Sequence, residues 1–419
     1  MIDRRDFLKI AGALIPSWGF IPVASAQSSL YTGKVLINIH ASGGLDAGSW
    51  FDPRESDPLM NFYAQSRTPA VVAGNLRVAP MANNGAFATK YFRNILVLNG
   101  VNSETNSHED GTRAHATGSL AMSYPNMSEL FAYTKGKDLP LPWLNAGGMN
   151  TSVGLSPAVP MPDGNSFRTM LSPNSANANQ DFMKAADVQK VLATRSDRIK
   201  AQLAAGNQVP RAQGVSTQFD AATNSRALLA RVSQFLPATF DNAAHVGLVA
   251  AQAGVACTVQ LSTGGFDLHS NIVNGSAQAL PRLTDLVDYI ITKSGEMGIA
   301  DRIFIRIYSE FGRTPLINTG LGKDHHTIGT QVLMEATPPA WGNRVFGLSG
   351  PRMQAVKINP STGAVDPVNG KIMTPRHVHE AIRKYLGFTT TDPRFSFRIP
   401  ADETFDIFNP TANTGYQTM

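Results

Sequence analysis

Five polar segments carry the residue types that could do chemistry in this chain. Each of the first four directly follows a short apolar run, and the last comes soon after the fourth: 43–46, 102–113, 264–269, 309–315 and 323–326. Four of the nine histidines lie in these segments, together with several carboxylates. Mixed imidazole and carboxylate ligands suit zinc, manganese or iron, whereas calcium prefers oxygen ligands alone. The residue types therefore point to a divalent metal site.

The apolar runs before these segments predict the elements that must position them. Residues 34–39, 94–98, 256–261 and 302–307 read as buried strands that stop near glycine or a polar turn. Helical patterns over 241–254, with Asp241 as N-cap and Gly254 as C-cap, and over 279–297 separate the later strands. This alternation predicts an α/β fold with a mostly parallel sheet and helices on both faces. Since ligands bind at the carboxyl ends of parallel strands, the polar segments should meet in one cleft.

Each group also has a purely structural interpretation. Asp267 and His269 could bind a metal or cap a turn, and His108 could act chemically or cap the next helix. The sequence Asp324-His325-His326 favours ligand or catalytic use, because adjacent histidines after an acid rarely serve a core. The remaining residues are interpreted as structural or carry no functional signal: Asp52, His40, His115, His245, His377 and His379.

The N-terminus predicts export. Arg4-Arg5 and a short basic start precede an apolar run over 10–23 and the sequence Ala24-Ser25-Ala26, a pattern typical of a twin-arginine signal peptide. We therefore expect residues 1–26 to be removed and a single domain to span 27–419, located in the periplasm or outside the cell. No transmembrane anchor is expected after signal removal.

Composition excludes several classes of protein. The net charge is +5 and is not concentrated in a block of lysine and arginine, which argues against a nucleic-acid partner. The single Cys257 excludes an internal disulfide and cysteine-based metal sites. Residues 120–235 differ in composition and are predicted to form an insertion, with irregular loops over 136–180 and helices over 180–205 and 218–236.

Three motifs together give this exported chain a family resemblance. Gly265-Phe266-Asp267-Leu268-His269, Ser309-Glu310-Phe311-Gly312-Arg313-Thr314-Pro315 and Asp324-His325-His326 resemble the bacterial family known as domain of unknown function 1501. That family is similar in fold to the alkaline phosphatase and sulfatase superfamily. The resemblance therefore implies an alkaline phosphatase-like domain with a site at the strand ends.

The same resemblance implies roles for individual residues. The metal ligands it implies are Asp46, Asp267, His269, Glu310, Asp324, His325 and His326. The superfamily spacing corresponding to Asp267 and His269 is commonly longer, and Glu310 stands where an Asp-His pair is expected. Thr112 lies where a nucleophile would open a helix, although Ser107 and Thr117 compete with it.

The sequence leaves two functions open. The first is a metal-dependent hydrolase of phosphate or sulfate esters, in which Arg313 would hold the anionic oxygens and a histidine, with His108 as candidate, would act as general acid. The second is a non-catalytic envelope protein whose cleft binds a glycan, a lipid or a protein partner of unknown identity. Clustered acids and histidines favour the enzyme, and the missing metal-site histidine favours the binding protein.

Overall fold

The structure is a computed structural model that describes residues 30–161, 163–171, 184–209, 212–213, 216 and 226–411. The predicted signal peptide, residues 1–26, lies outside these residues. None of the helices in the described ranges is long and apolar enough to cross a membrane.

Strands and helices alternate along most of the described chain. The strands are β1 Val35–Ala41, β2 Val71–Ala73, β3 Leu76–Val78, β4 Ile95–Asn102, β5 Trp143–Ala146, β6 Val159–Pro160, β7 Thr258–Thr263, β8 Ile303–Tyr308, β9 Gly312–Arg313, β10 His325–His326, β11 Ile328–Glu335 and β12 Arg344–Phe346. The helices are α1 Phe62–Gln65, α2 Asn84–Tyr91, α3 His108–Thr117, α4 Met127–Lys135, α5 Gly164–Leu171, α6 Ala185–Ala204, α7 Arg226–Val232, α8 Ala243–Gln252, α9 Ile272–Glu296 and α10 Pro375–Tyr385.

In the described part of the chain, eight strands form one sheet in the order β12-β4-β11-β8-β1-β7-β5-β6. Strand β1 pairs in parallel with β7 and β8, and β5 pairs in parallel with β6 and β7. Strand β11, which the sequence analysis did not predict, is antiparallel to both β4 and β8. The predicted α/β class with a mostly parallel sheet is confirmed, and all four predicted strands are present.

The residues of β1, β4 and β8 are nearly all buried and mostly apolar, because both faces of the sheet are covered. In β1, Val35, Ile37 and Ile39 enter a core that includes Leu280, Leu283 and Val287 of α9. Leu36 points to the opposite face, into a second core that includes side chains of α4 and α10. Alternate side chains of one strand therefore pack into two different cores, one on each face of the sheet.

Two helix starts differ from the prediction. The N-cap of α8 is Asn242, whose side chain accepts a hydrogen bond from the backbone of His245, and not Asp241. Helix α9 begins at Ile272, seven residues before the start of its apolar period, and contains Pro281. Tertiary packing extends this helix beyond what its periodicity indicates.

The region predicted as an insertion partly belongs to the sheet. Strands β5 and β6, within residues 120–235, form one edge of it, because β5 pairs with β7 along Trp143–Ala146. The predicted helix over 180–205 corresponds to α6 at Ala185–Ala204. For the predicted helix over 218–236, the structure describes α7, and residues 217–225 lie outside the described ranges.

Candidate metal centre

The carboxyl edge of the sheet gathers the segments after β1, β4, β7 and β8. Helix α3 begins there, with Ser107 as N-cap and His108 as its first residue. Asp267 and His269 lie in the turn that follows β7. His325 belongs to β10, which pairs with β9 opposite Arg313. Antiparallel β11 starts at this same edge, which is why a late segment of the chain joins the earlier ones.

Four side chains converge on one point at this edge. His108, Asp267 and His325 each offer an atom within 4.8 Å of the others. The Nε2 atom of His269 lies 3.1 Å from Oδ1 of Asp267 and 3.0 Å from Nε2 of His325. The Nε2 atom of His108 lies 3.6 Å from Oδ2 of Asp267. The name "metal cluster" is used below for these four residues.

The other ring nitrogen of each histidine has a separate acceptor. His108 Nδ1 lies 2.8 Å from Oε1 of Glu310. His325 Nδ1 lies 2.8 Å from the carbonyl oxygen of Asn106. His269 Nδ1 lies 3.0 Å from Oδ1 of Asp324. Such outer partners fix the tautomer and ring orientation of metal-binding histidines.

These contacts determine which nitrogens carry protons. A carbonyl or a carboxylate only accepts, so each Nδ1 donates its proton and each neutral imidazole presents a lone pair at Nε2. The lone pairs of His269 and His325 then face each other at 3.0 Å, beside the Asp267 carboxylate. That arrangement is repulsive unless a proton or a metal cation lies among these atoms. The donor set therefore fits a divalent metal ion.

Glu310 lies directly behind His108. It is buried, and it accepts hydrogen bonds from His40 Nε2, His108 Nδ1 and the backbone of Gly43 at 2.8 to 3.0 Å. Burial alone would raise the pKa of Glu310, but the bonds from His40 and His108 hold it well below its usual range. The structure thus places Glu310 as an ionised partner that positions His108, outside the metal cluster.

Arg313 has a different role from the predicted oxygen clamp. Its buried guanidinium donates to the carbonyl oxygens of Gly43, Gly44 and Lys323 and to Oδ1 of Asp267, the last at 2.5 Å. All three of its nitrogens are therefore engaged within the protein. Its contact with Asp267 positions that carboxylate, so Arg313 orients one of the four residues of the metal cluster.

The Gly43-Gly44 turn permits this close packing. Both residues adopt positive φ angles, +121° and +86°. A Cβ atom at Gly43 would lie 2.3 Å from the backbone nitrogen of Asp267, and one at Gly44 would lie 2.5 Å from the Phe311 ring. Only glycine fits both the backbone conformation and the space available.

Besides Glu310 and Asp324, two more predicted ligands lie outside the cluster. Asp46 is buried, caps a short 3-10 helix over Ala47–Ser49 and accepts from Lys323 Nζ at 2.9 Å. His326 follows His325 in β10, so its side chain points to the other side, where Nε2 lies 3.0 Å from the carbonyl oxygen of Met353. Successive side chains of an extended strand point to opposite faces, which separates the environments of these two neighbours.

Asp324 lies at the solvent-exposed rim. It accepts from His269 Nδ1 at 3.0 Å and from the Asn318 amide at 3.3 Å. The bond from His269 lowers the pKa of Asp324, which keeps the carboxylate ionised. Asp324 therefore holds His269, in the way Glu310 holds His108.

Thr112 lies one helical turn after His108 on the same face of α3. Both residues line a cavity of about 760 Å³. The hydroxyl of Thr112 has no hydrogen-bond partner among the described residues. The two competing hydroxyls are engaged: Ser107 caps α3, and Thr117 donates to backbone carbonyls at 2.9 Å.

Sequence reasoning missed three positioning groups. His40 bonds Glu310, the carbonyl of Asn106 orients His325, and the amide of Asn318 bonds Asp324. His40 was the only one with a usable signal, since a histidine inside a mostly apolar, buried strand is unusual. The contribution of Asn106 is its backbone, which no residue type could reveal.

Residues 143–335 match the model of a family described as "Protein of unknown function (DUF1501)". The family resemblance is confirmed over these residues. The match includes β5, β7 and β8 and three of the four residues of the metal cluster: Asp267, His269 and His325. No curated protein matches the chain.

Solved structures that resemble this chain do so distantly. Ps i-CgsB in complex with k-i-k-neocarrahexaose has 7% identity and a TM-score of 0.36, with 90% of this chain and 75% of that one covered. The lipoteichoic acid synthase LtaP from Listeria monocytogenes has 8% identity and a TM-score of 0.33, with 90% and 76% covered. A mutant of TAB5 alkaline phosphatase with Mg bound in the M3 site has 11% identity and a TM-score of 0.29, with 73% and 91% covered. The chemistry proposed below therefore rests on the chain's own residues.

Proposed function

We propose that this protein is an exported, metal-dependent hydrolase that cleaves phosphate or sulfate esters. The single observation that carries the proposal is the set of three imidazoles whose Nδ1 atoms are bonded and whose Nε2 atoms surround Asp267. With each Nδ1 proton directed to an outer acceptor, the neutral imidazoles have no proton left with which to bond one another through Nε2. Here they leave a site with the charge and donor types that a cation requires.

His108, Asp267, His269 and His325 would hold the ion. A divalent ion there supplies Lewis-acid stabilisation of an ester oxygen and lowers the pKa of a bound hydroxyl or water. Zinc, manganese and iron are the ions that suit this ligand set. Glu310 and Asp324 keep the imidazoles oriented with their Nε2 lone pairs inward, and Arg313 does the same for the Asp267 carboxylate.

Thr112 is the proposed nucleophile. Its hydroxyl is free among the described residues, faces the same cavity as His108 and lies on a rigid helix. A threonine hydroxyl is a weak nucleophile until a neighbouring base or metal ion activates it. The position of Thr112 one turn from a metal-cluster histidine supports that activation. Its attack would transfer the phosphoryl or sulfuryl group from the ester oxygen to Oγ1, and water would then release it.

One observation favours the alternative, a non-catalytic envelope protein on a degenerate hydrolase fold. Arg313, the basic residue beside the cluster, donates its hydrogen bonds to backbone carbonyls and to Asp267. Four of its five N–H groups are engaged in this way and the guanidinium is fully buried, so it is not available to hold a substrate oxygen. In this reading the cleft binds a metal and an envelope glycan or lipid without turnover.

Elemental analysis of protein purified from the periplasm, combined with hydrolysis assays on aryl phosphates and aryl sulfates, tests the proposal. We expect one divalent ion per chain and metal-dependent turnover that is lost in Thr112→Val, which preserves side-chain shape. Metal without turnover on any ester would move the conclusion to the binding protein. Metal-free protein from metal-replete cells would overturn both the site and the reaction.

We further propose that the twin-arginine signal at residues 1–26 directs export. Replacing Arg4 and Arg5 with lysine should leave the precursor in the cytoplasm, because lysine lacks the planar guanidinium. Fractionation and N-terminal sequencing of the mature chain would check this. Normal processing in a strain without the twin-arginine machinery would contradict it.

A further inference from the structure

A second cavity, of about 490 Å³, lies beside the one next to the metal cluster. The chain segments that build it come from the end of α3, the start of α10 and the stretch after α10. Its lining includes Arg376, Arg398, Tyr124, Phe397 and Glu104. None of these residues was singled out by the sequence, and none takes part in the proposed chemistry at the metal cluster.

The two arginines give this cavity an excess of positive charge. Arg376 and Arg398 are exposed, and neither has a hydrogen-bond or ion-pair partner among the described residues. Nearby arginines differ in this respect, since Arg113 is paired with Asp110 and Arg394 with Asp392. One carboxylate, Glu104, also lines the cavity, which leaves a net charge of +1 there. The N-terminus of α10 at Pro375 adds to the positive potential.

The walls of the cavity are aromatic and closely fitted. The rings of Tyr124 and Phe397 stack with centroids 5.4 Å apart at an angle of 13°. Arg383 lies over the Phe397 ring at 4.3 Å, which fixes it in place. Gly118, at the end of α3, has a φ of +79°, and a Cβ there would lie 2.5 Å from Phe397. The aromatic wall is therefore held rigidly against α3.

Tyr124 lines both cavities. Helix α3 also borders both, with His108 and Thr112 on one and Ala114 and Gly118 on the other. The ten steps from His108 to Gly118 correspond to about 15 Å along the helix axis. A ligand that reaches from the metal cluster to the arginines must therefore be an oligomer and not a single ester unit.

We propose that the Arg376–Arg398 cavity is a second subsite that binds a neighbouring anionic unit of a glycan whose ester group occupies the metal cluster. This inference rests on the proposed function and specifies its substrate class. Guanidinium groups bind sulfate and phosphate oxygens through paired hydrogen bonds. An aromatic wall between two cavities offers a flat apolar surface for a sugar ring. An anionic glycan satisfies both requirements, whereas a simple inorganic anion uses only the first.

Binding of a sulfated chondroitin hexasaccharide to the full mature protein, measured by calorimetry, tests the subsite. The variant Arg376→Gln with Arg398→Gln should raise its Kd at least about ten-fold, because two charge-assisted contacts are lost. The matched control, Arg352→Gln with Arg93→Gln, removes the same charge from exposed positions outside this cavity and should change Kd less than about two-fold. Equal losses in both variants would overturn the proposal, as would no measurable binding by the unmodified protein.

Two further measurements separate the subsite from the metal chemistry and the glycan from other anions. The double variant His269→Ala with His325→Ala should lose metal yet still bind the hexasaccharide through the arginines. Loss of all glycan binding in that variant would overturn the independent subsite. Linear polyphosphate of similar length should bind at least about ten-fold more weakly than the hexasaccharide, because it lacks rings to stack on Tyr124. Equal binding of both would overturn the glycan assignment.

Discussion

Two groups of polar side chains in this protein lie in contrasting environments: the metal cluster, and His115 with its neighbour Arg306. The metal cluster is partly exposed, and the Nε2 atoms of its three imidazoles lie 3.1 to 3.6 Å from the carboxylate oxygens of Asp267. The second group lies in the core, where His115 accepts from Gln331 at Nδ1 and bonds Ser103 through Nε2. Beside it, Arg306 donates to the carbonyl of His115 and to Gln331. The core group is bonded within the protein, whereas the donor set of the metal cluster fits a cation.

The electrostatics of the two groups differ accordingly. Burial lowers the pKa of His115 to about 3 and the pKa of Arg306 to about 10. His115 therefore stays neutral across physiological pH, and Arg306 stays charged without a carboxylate partner. A polar group can thus be conspicuous by residue type and yet purely structural. What distinguishes a binding site is the direction of its free lone pairs, and the following variants test that distinction.

The largest effect should come from the adjacent histidines of β10. His325→Ala removes one cluster ligand, so metal affinity should fall more than about 100-fold, beyond the loss typical of outer partners. His326→Ala is the matched control, because that side chain bonds Met353 on the other side of the strand. Metal titration monitored by elemental analysis, with unfolding curves for both variants, measures this. Equal loss of metal in the two variants would remove His325 from the site.

Arg306→Lys should lower the stability of the fold and leave metal affinity unchanged, the reverse of what we expect for His325→Ala. A lysine cannot reach both Gln331 and the His115 carbonyl in the geometry of the guanidinium, so a buried acceptor is left unpaired. The free energy of unfolding should fall by about 2 kcal/mol, while metal affinity stays unchanged. Denaturant unfolding and metal titration on the same protein provide the two readouts. A change in metal affinity without a change in stability would show that the two groups are coupled.

His115→Gln should change the acid sensitivity of the fold. In the native protein His115 binds no proton until about pH 3, whereas the unfolded chain binds one below its usual pKa near 6.5. Its contribution to stability is therefore present above pH 6.5 and is lost as the pH falls. Glutamine keeps one acceptor and one donor but does not titrate. Between pH 6 and 5 the stability of the variant should fall less steeply, by up to about 1.4 kcal/mol per pH unit. Identical pH slopes from unfolding curves would contradict a neutral core histidine.

The smallest effect concerns the exposed partner of His269. Asp324→Ala removes the acceptor of Nδ1 and should weaken metal binding by about ten-fold, at the lower end for outer partners. Asp402→Ala, an exposed carboxylate paired with Lys371, is the control and should leave affinity unchanged. Competition with a metal-binding dye resolves a change of this size. Unchanged affinity in Asp324→Ala would show that solvent can replace this acceptor.

Much of the fold could be predicted from local pattern. The four apolar runs that became β1, β4, β7 and β8 are short, β-branched and bounded by turn residues, so their type was readable. Strand β11 was not predicted, although it is eight residues long, because nothing local reveals that a strand runs antiparallel between two parallel ones. The edge strands β5 and β6 were not predicted either, because runs of four and two residues are too short to show a periodicity.

The sequence by itself determined the fold class, the edge of the sheet where ionisable groups gather and the residue types available there. It could not determine which of them face one another. Asp46 and Asp267 both follow strands, yet Lys323 neutralises one and three imidazoles surround the other. His325 and His326 are adjacent in the chain, yet their side chains point to opposite faces of β10. The physical reason is that periodicity records which residues are buried, whereas ligand geometry depends on distances of about 3 Å between segments far apart in the chain, which only packing fixes.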